Sequence, residues 1–117
     1  MCLQASRKLL WIDDRNTGVS VYTAQTALER ARGLLFRPPL KADEALLIVP
    51  CNSVHMFGMG YPIDVVFLDS STKVNKLVPK LTPWRMAACM GSRSVLELPV
   101  NSVERLCIQM GSKVEYR

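Results

Sequence analysis

Ile63-Asp64-Val65-Val66-Phe67-Leu68, preceded in the chain by Ala45-Leu46-Leu47-Ile48-Val49, sets the architecture. Both runs are too short for buried helices, and both are rich in branched and aromatic side chains. They read as strands covered on both faces. Further strands fall into place on either side of them. Leu9 to Ile12 and Val19 to Tyr22 flank the turn-forming Asp13-Asp14-Arg15-Asn16-Thr17-Gly18, a hairpin pattern. Val74 to Val78, Val95 to Leu98 and Val114 to Tyr116 complete the set. Thr26 and Glu29 have capping-box spacing and predict a short helix ending near Gly33, before Pro38-Pro39. Asn101 and Glu104 repeat that spacing before a second helix, Ser102 to Cys107. The expectation is a mainly β (α+β) single domain over residues 1–117, with about seven strands and two short helices.

Composition supports that frame. The chain has 117 residues, 49% hydrophobic and 21% charged, which is ordinary for one globular domain and excludes intrinsic disorder. The longest apolar run, Ala45 to Cys51, is far below the roughly 18 residues of a membrane span. Met1 to Leu10 has neither a long apolar stretch nor a small-residue cleavage site, so no leader is expected, and a small soluble cytoplasmic monomer is. Cys2, Cys51, Cys89 and Cys107 form no CxxC pair, which excludes zinc-ribbon and thioredoxin-type chemistry and favours reduced thiols.

The +5 formal charge lies entirely after residue 72. Lys73, Lys76, Lys80, Arg85 and Arg93 occur with no intervening acid, a stretch that would suit nucleic acid or an acidic partner. No RNP-type aromatic motif, helix-turn-helix pattern or zinc-finger spacing accompanies it. A solvated face is the plainer account of the same residues.

Asp64 and Glu97 resist a purely structural account. Asp64 shares a strand face with Val66 and Leu68, and a buried carboxylate needs a partner. Arg30 or Arg37 is the expected one, since a guanidinium fork satisfies both oxygens. Glu97 alternates away from Leu96 and Leu98, so its face is expected to meet water. The segment Pro50 to Pro62 is read as a loop from its glycines and prolines. It places Cys51, His55 and Met59 at four-residue intervals, the soft donors that copper(I) favours. Cys51 and His55 also offer a nucleophile and a base, but no orienting group or oxyanion hole is patterned beside them. There is no GxGxxG, P-loop or HExxH, so no cofactor and no named reaction is expected.

Several blocks in register carry a resemblance. They are Glu29-Arg30-x-x-Gly33-Leu34 with Phe36-Arg37 and Leu40; Asp43-Glu44-Ala45-Leu46-Leu47-Ile48; and Met59-x-x-Pro62-Ile63-Asp64-Val65-Val66-Phe67-Leu68-Asp69. Pro79 follows, then Val95-Leu96-Glu97-Leu98-Pro99, and Gly111 near the end. Over residues 19–116 the chain resembles domain-of-unknown-function family 192, also called uncharacterised protein family 127. The resemblance implies a compact, partly closed β-barrel and no assigned reaction. Members are often exported, so this chain resembles an intracellular version or one lacking its leader. Leu35 stands where methionine is usual, Asn101 and Cys107 where glycines are usual, and Gly60 where a polar residue is usual.

The functional expectation is a non-enzymatic module for a small ligand or protein partner. Its cleft would be formed by the Cys51 to Pro62 loop, the Arg30 to Arg37 helix end and the start of the Asp64 strand. Arg30 or Arg37 would orient an anionic group and Asp64 would fix the arginine. His55 and Glu97 would contribute polar groups, with Met56, Phe57 and Met59 as an adaptable apolar wall. The alternatives are a soft-metal site at Cys51, His55 and Met59, and a nucleic-acid or acidic-partner surface over residues 73–93.

Overall fold

A computed structural model describes residues 7–24, 26, 34, 35 and 37–117. The predicted first helix, and with it Arg30, lies outside the described residues. Nine strands are present among them: β1 (Lys8–Ile12), β2 (Arg15–Thr23), β3 (Glu44–Ile48), β4 (Ser53–His55), β5 (Ile63–Leu68), β6 (Val74–Leu81), β7 (Met86–Ala88), β8 (Ser94–Pro99) and β9 (Val114–Tyr116). The single described helix, α1, is Ser102–Arg105.

The seven strands expected from sequence form one sheet in the order β6-β5-β8-β3-β2-β1-β9. All neighbours are antiparallel except β2 and β3, which run parallel. The sheet curls until its two edge strands meet at one end. Lys73 bridges Lys113, and the Val74 N–H donates to the Ser112 carbonyl at 3.0 Å. This is a partly closed barrel, and closure protects edges that would otherwise present unpaired N–H and C=O groups.

Both faces of the central strands are covered. Along β5, Val66 and Leu68 join an interior layer with Leu10, Ile12, Val21, Leu96 and Leu98. Ile63, Val65 and Phe67 join an exterior layer with Ile48, Val54, Met56, Met59 and Val95. The exterior layer is roofed by a second sheet that the sequence did not suggest, a two-stranded ribbon of β4 and β7. Within the 50–62 segment, Ser53–His55 is therefore a strand rather than loop. Its pairing partner is distant in sequence, so no local hairpin signal marks it.

α1 is shorter than expected, and its expected capping box does not form. Asn101 is left-handed at φ 77 and makes no side-chain cap hydrogen bond. The cap comes instead from β5: the Val103 N–H donates to Asp64 Oδ2 at 2.8 Å. Leu106 and Ile108, following the helix, pack into the interior layer at that end of the barrel.

Candidate functional site

Strand alternation places Asp64 and Glu97 on opposite faces of one sheet. Asp64 pairs with Leu98, and Glu97 with Val65. Asp64 is 1% exposed, and the hydrogen bonds described for it come from main-chain N–H groups. The Lys80 N–H donates to its Oδ1 at 2.9 Å, and Val103 occupies Oδ2. The pairing of β5 with β6 is irregular between Ile63 and Val65, and Lys80 takes φ 55, so the carboxylate ties a bulged strand to a helix start. Asp64 borders a separate cavity of about 420 Å³ with Lys80, Asn101, Glu104 and Cys107.

Glu97 is the carboxylate that meets the histidine-bearing segment. The expectation of a wet face fails because the β4–β7 ribbon and the 50–62 segment cover it, leaving Glu97 5% exposed. Its Oε1 is buried without a hydrogen-bond partner. Burial pushes the carboxyl up from 4.5 to about 7, and the nearby positive charge of Arg37 opposes that rise. Arg37 is thus the guanidinium that acts on a buried acid, and the acid is Glu97. Tyr61 lies near the same charge, its Oη also buried and unpartnered; burial and Glu97 both raise its pKa.

Glu97 lines a cavity of about 370 Å³ together with Cys51, His55, Met56, Phe57 and Met59. The remaining described lining, including Leu34, Ile48 and Ile63, is apolar except for Ser53. Gly58 shapes the tip of the roof. It is left-handed at φ +85, and a Cβ there would come within 3.2 Å of the Leu35 side chain.

Cys51, His55 and Met59 share this lining, yet the first two are engaged elsewhere. The Cys51 thiol donates to the Ser53 carbonyl at 3.1 Å, and burial pushes its pKa up, away from a reactive thiolate. His55 Nδ1 accepts the Phe57 N–H at 3.3 Å, and its ring stacks on Phe57. The geometry does not support a nucleophile–base pair. Among the described residues, no three His, Cys, Asp or Glu side chains converge as a metal ligand set.

The basic residues are spread over several elements. Lys73 sits at the bridge to Lys113, and Lys80 near the far end of β6 beside Asp64. Lys76 Nζ donates to the Ala88 carbonyl of β7 at 2.8 Å, and Arg85 directly precedes β7. Arg93 neighbours Cys51, whose N–H donates to its carbonyl at 3.0 Å.

Sequence reasoning passed over Tyr61 and misplaced Glu97. A signal for Glu97 existed: Val95, on the same face, is apolar, and strands apolar in both phases are covered on both sides.

Comparison with known proteins places this geometry in context. The DUF192 family model, described as an uncharacterised ACR, matches residues 10–116. The chain is 35% identical over 103 residues to a UPF0127 protein of Thermococcus sibiricus, covering 82% of this chain and 65% of that protein, under two thirds of its length. It is 31% identical over 122 residues to a UPF0127 protein of Pyrococcus horikoshii, covering 99% of this chain and 98% of the relative. Two crystal structures share the fold. A candidate transcription regulator of Sinorhizobium meliloti superposes with a TM-score of 0.83 at 20% identity, covering 95% of this chain and 94% of the other. A protein of unknown function from Novosphingobium aromaticivorans gives 0.74 at 23% identity, covering 97% and 94%.

Proposed function

Because this chain belongs to the DUF192 (UPF0127) family, which is uncharacterised, we propose a function from its own site geometry: a single-domain, non-enzymatic module that binds a small ligand in the Glu97 cavity. The observation that carries this reading is the unpartnered, buried Oε1 of Glu97 on the wall of an otherwise largely apolar cavity. An orphaned buried acceptor costs about 1–3 kcal/mol, and a ligand donor at that position recovers it. The ligand is therefore a compact molecule with an apolar body and an O–H or N–H donor at one end.

Arg37 tunes the carboxyl, Met56 and Met59 adapt to the apolar body, and His55 and Phe57 form the rim. In this reading Asp64 is structural: it is not among the residues lining this cavity, and main-chain N–H groups donate to both its oxygens. No described helix is long and apolar enough to cross a membrane. The reading takes the protein as a cytoplasmic monomer, and the free thiols of Cys51, Cys89 and Cys107 support a reducing compartment.

Native mass spectrometry of the protein purified from its own source tests the proposal. A co-purifying small molecule is expected, retained by the parent and lost from Glu97→Leu, which replaces the acceptor with an apolar group. A ligand retained equally by both proteins would place the site elsewhere.

A further inference from the structure

Three exposed rings stack in series beside the β4–β7 ribbon. His55 and Phe57 lie 5.0 Å apart between centroids, at 29° between planes. Phe57 and Trp84 follow at 6.1 Å and 28°. The column ends on Trp84, which is 68% exposed, and Met86, paired with His55 across the ribbon, is 64% exposed. Burial does not explain Trp84. It also occupies the left-handed region at φ 69, a conformation that strains a bulky residue, and its N–H is fixed to the Met56 carbonyl at 2.9 Å. The fold thus holds an indole outward at a conformational cost that glycine would avoid.

The chain segment that carries Trp84 and Met86 is basic. Arg85 adjoins Trp84 and is exposed, and Lys76 is tied to β7 through Ala88. From residue 70 to residue 96 the chain has no acidic side chain. Roughly parallel rings beside fixed cations suit flat, stackable groups joined by an anionic backbone. We propose that the His55–Phe57–Trp84 column, flanked by Arg85 and Lys76, is a stacking platform for single-stranded nucleic acid. A base extends the column on Trp84, and the cations meet the adjoining phosphates. Stacking of this kind is sequence-tolerant because every base has a π-face. The surface lies outside the Glu97 cavity, sharing only the rim rings His55 and Phe57, and it does not depend on that cavity being occupied.

The experiment measures fluorescence anisotropy of a labelled oligouridylate of about 12 nucleotides, within the site size of such platforms, titrated with the full chain. Binding is expected to quench the Trp84 emission and to weaken as salt rises. Trp84→Gly is expected to weaken binding about tenfold or more, the loss of one stacked base, and to abolish the quenching, with Trp11 as the remaining emitter. Its thermal midpoint is expected to be no lower than the parent's, because the substitution relieves the left-handed strain. Arg85→Glu is expected to weaken binding and flatten the salt dependence. Three results would overturn the proposal. The first is oligouridylate affinity unchanged by Trp84→Gly or matched by heparin, which is charge without stacking. The second is binding to phosphatidylglycerol vesicles with none to oligouridylate. The third is a dimer in sedimentation that Trp84→Gly dissociates, which makes a second copy the occupant.

Discussion

Asp64 and Glu97 show how two carboxylates in neighbouring strands acquire opposite roles. Asp64 accepts from two main-chain N–H groups at 2.9 and 2.8 Å, so its charge is solvated by the fold itself. Hydrogen bonds to a charged group contribute about 1.5–3 kcal/mol each, so Asp64→Ala is expected to cost about 3 kcal/mol or more in denaturant melts. Asp64→Asn, which keeps one acceptor, should cost less. A loss below 1 kcal/mol for the alanine variant would remove the structural role. Lys80 at φ 55 and Cys107 at φ 56, both exposed, are left-handed without being glycine. Replacing Cys107 or Lys80 with glycine is expected to stabilise by about 0.5–1 kcal/mol, the relieved Cβ strain less the added chain entropy. Asp64 was legible as a buried acid because it interrupts an apolar strand. Its partners were not, since Lys80 and Val103 contribute through main-chain atoms that carry no residue signature.

At the scale of elements, the seven strands of the main sheet follow from short branched runs bounded by turn residues. The β4–β7 ribbon does not, because its two strands, Ser53–His55 and Met86–Ala88, have only three residues each and are paired across a long separation. Few main-chain hydrogen bonds and an exposed outer face make it the least protected part of the sheet structure. Amide exchange is expected to reach Val54 and Ala87 well before Val65 or Leu96, both fully buried in the main sheet. Equal protection would mean that the roof opens only with global unfolding. Opening of the ribbon also uncovers the Glu97 cavity, so bound ligand should slow exchange in β4. The same short strands position the ring column, which links the dynamics of the roof to both proposed surfaces.

Across the whole molecule, the buried acid couples stability to pH. The Glu97 carboxyl is near 7 when folded and 4.5 as its ordinary value, so between these limits the folded state holds more proton than the unfolded state. The Glu97 contribution to stability is then greatest below about 4.5, falls as pH rises toward 7, and is flat above. The total loss is about 3 kcal/mol at 1.36 kcal/mol per unit. Asp13, whose pKa is lowered by its hydrogen bond to the Lys113 main chain, acts in the opposite sense but below its ordinary 3.8, outside that window. Glu97→Gln should remove the decline between pH 5 and 7 (the window set by these two pKa values) in urea midpoints followed across pH. An unchanged slope in the variant would show that another group titrates.

The amino-acid order alone specified a mainly β domain of about seven strands, because period-two patterning and turn residues act locally and survive without a partner, whereas its closure into a barrel was implied only by the family resemblance. It also isolated the two acids and the histidine segment as chemically unusual. Which acid faces which cavity was decided only by tertiary structure. That choice depends on a ribbon roofing the second face of the sheet, and roofing is a contact between distant segments that no local pattern encodes. The same physics hid the stacked rings: His55, Phe57 and Trp84 become one surface only when β4 pairs with β7.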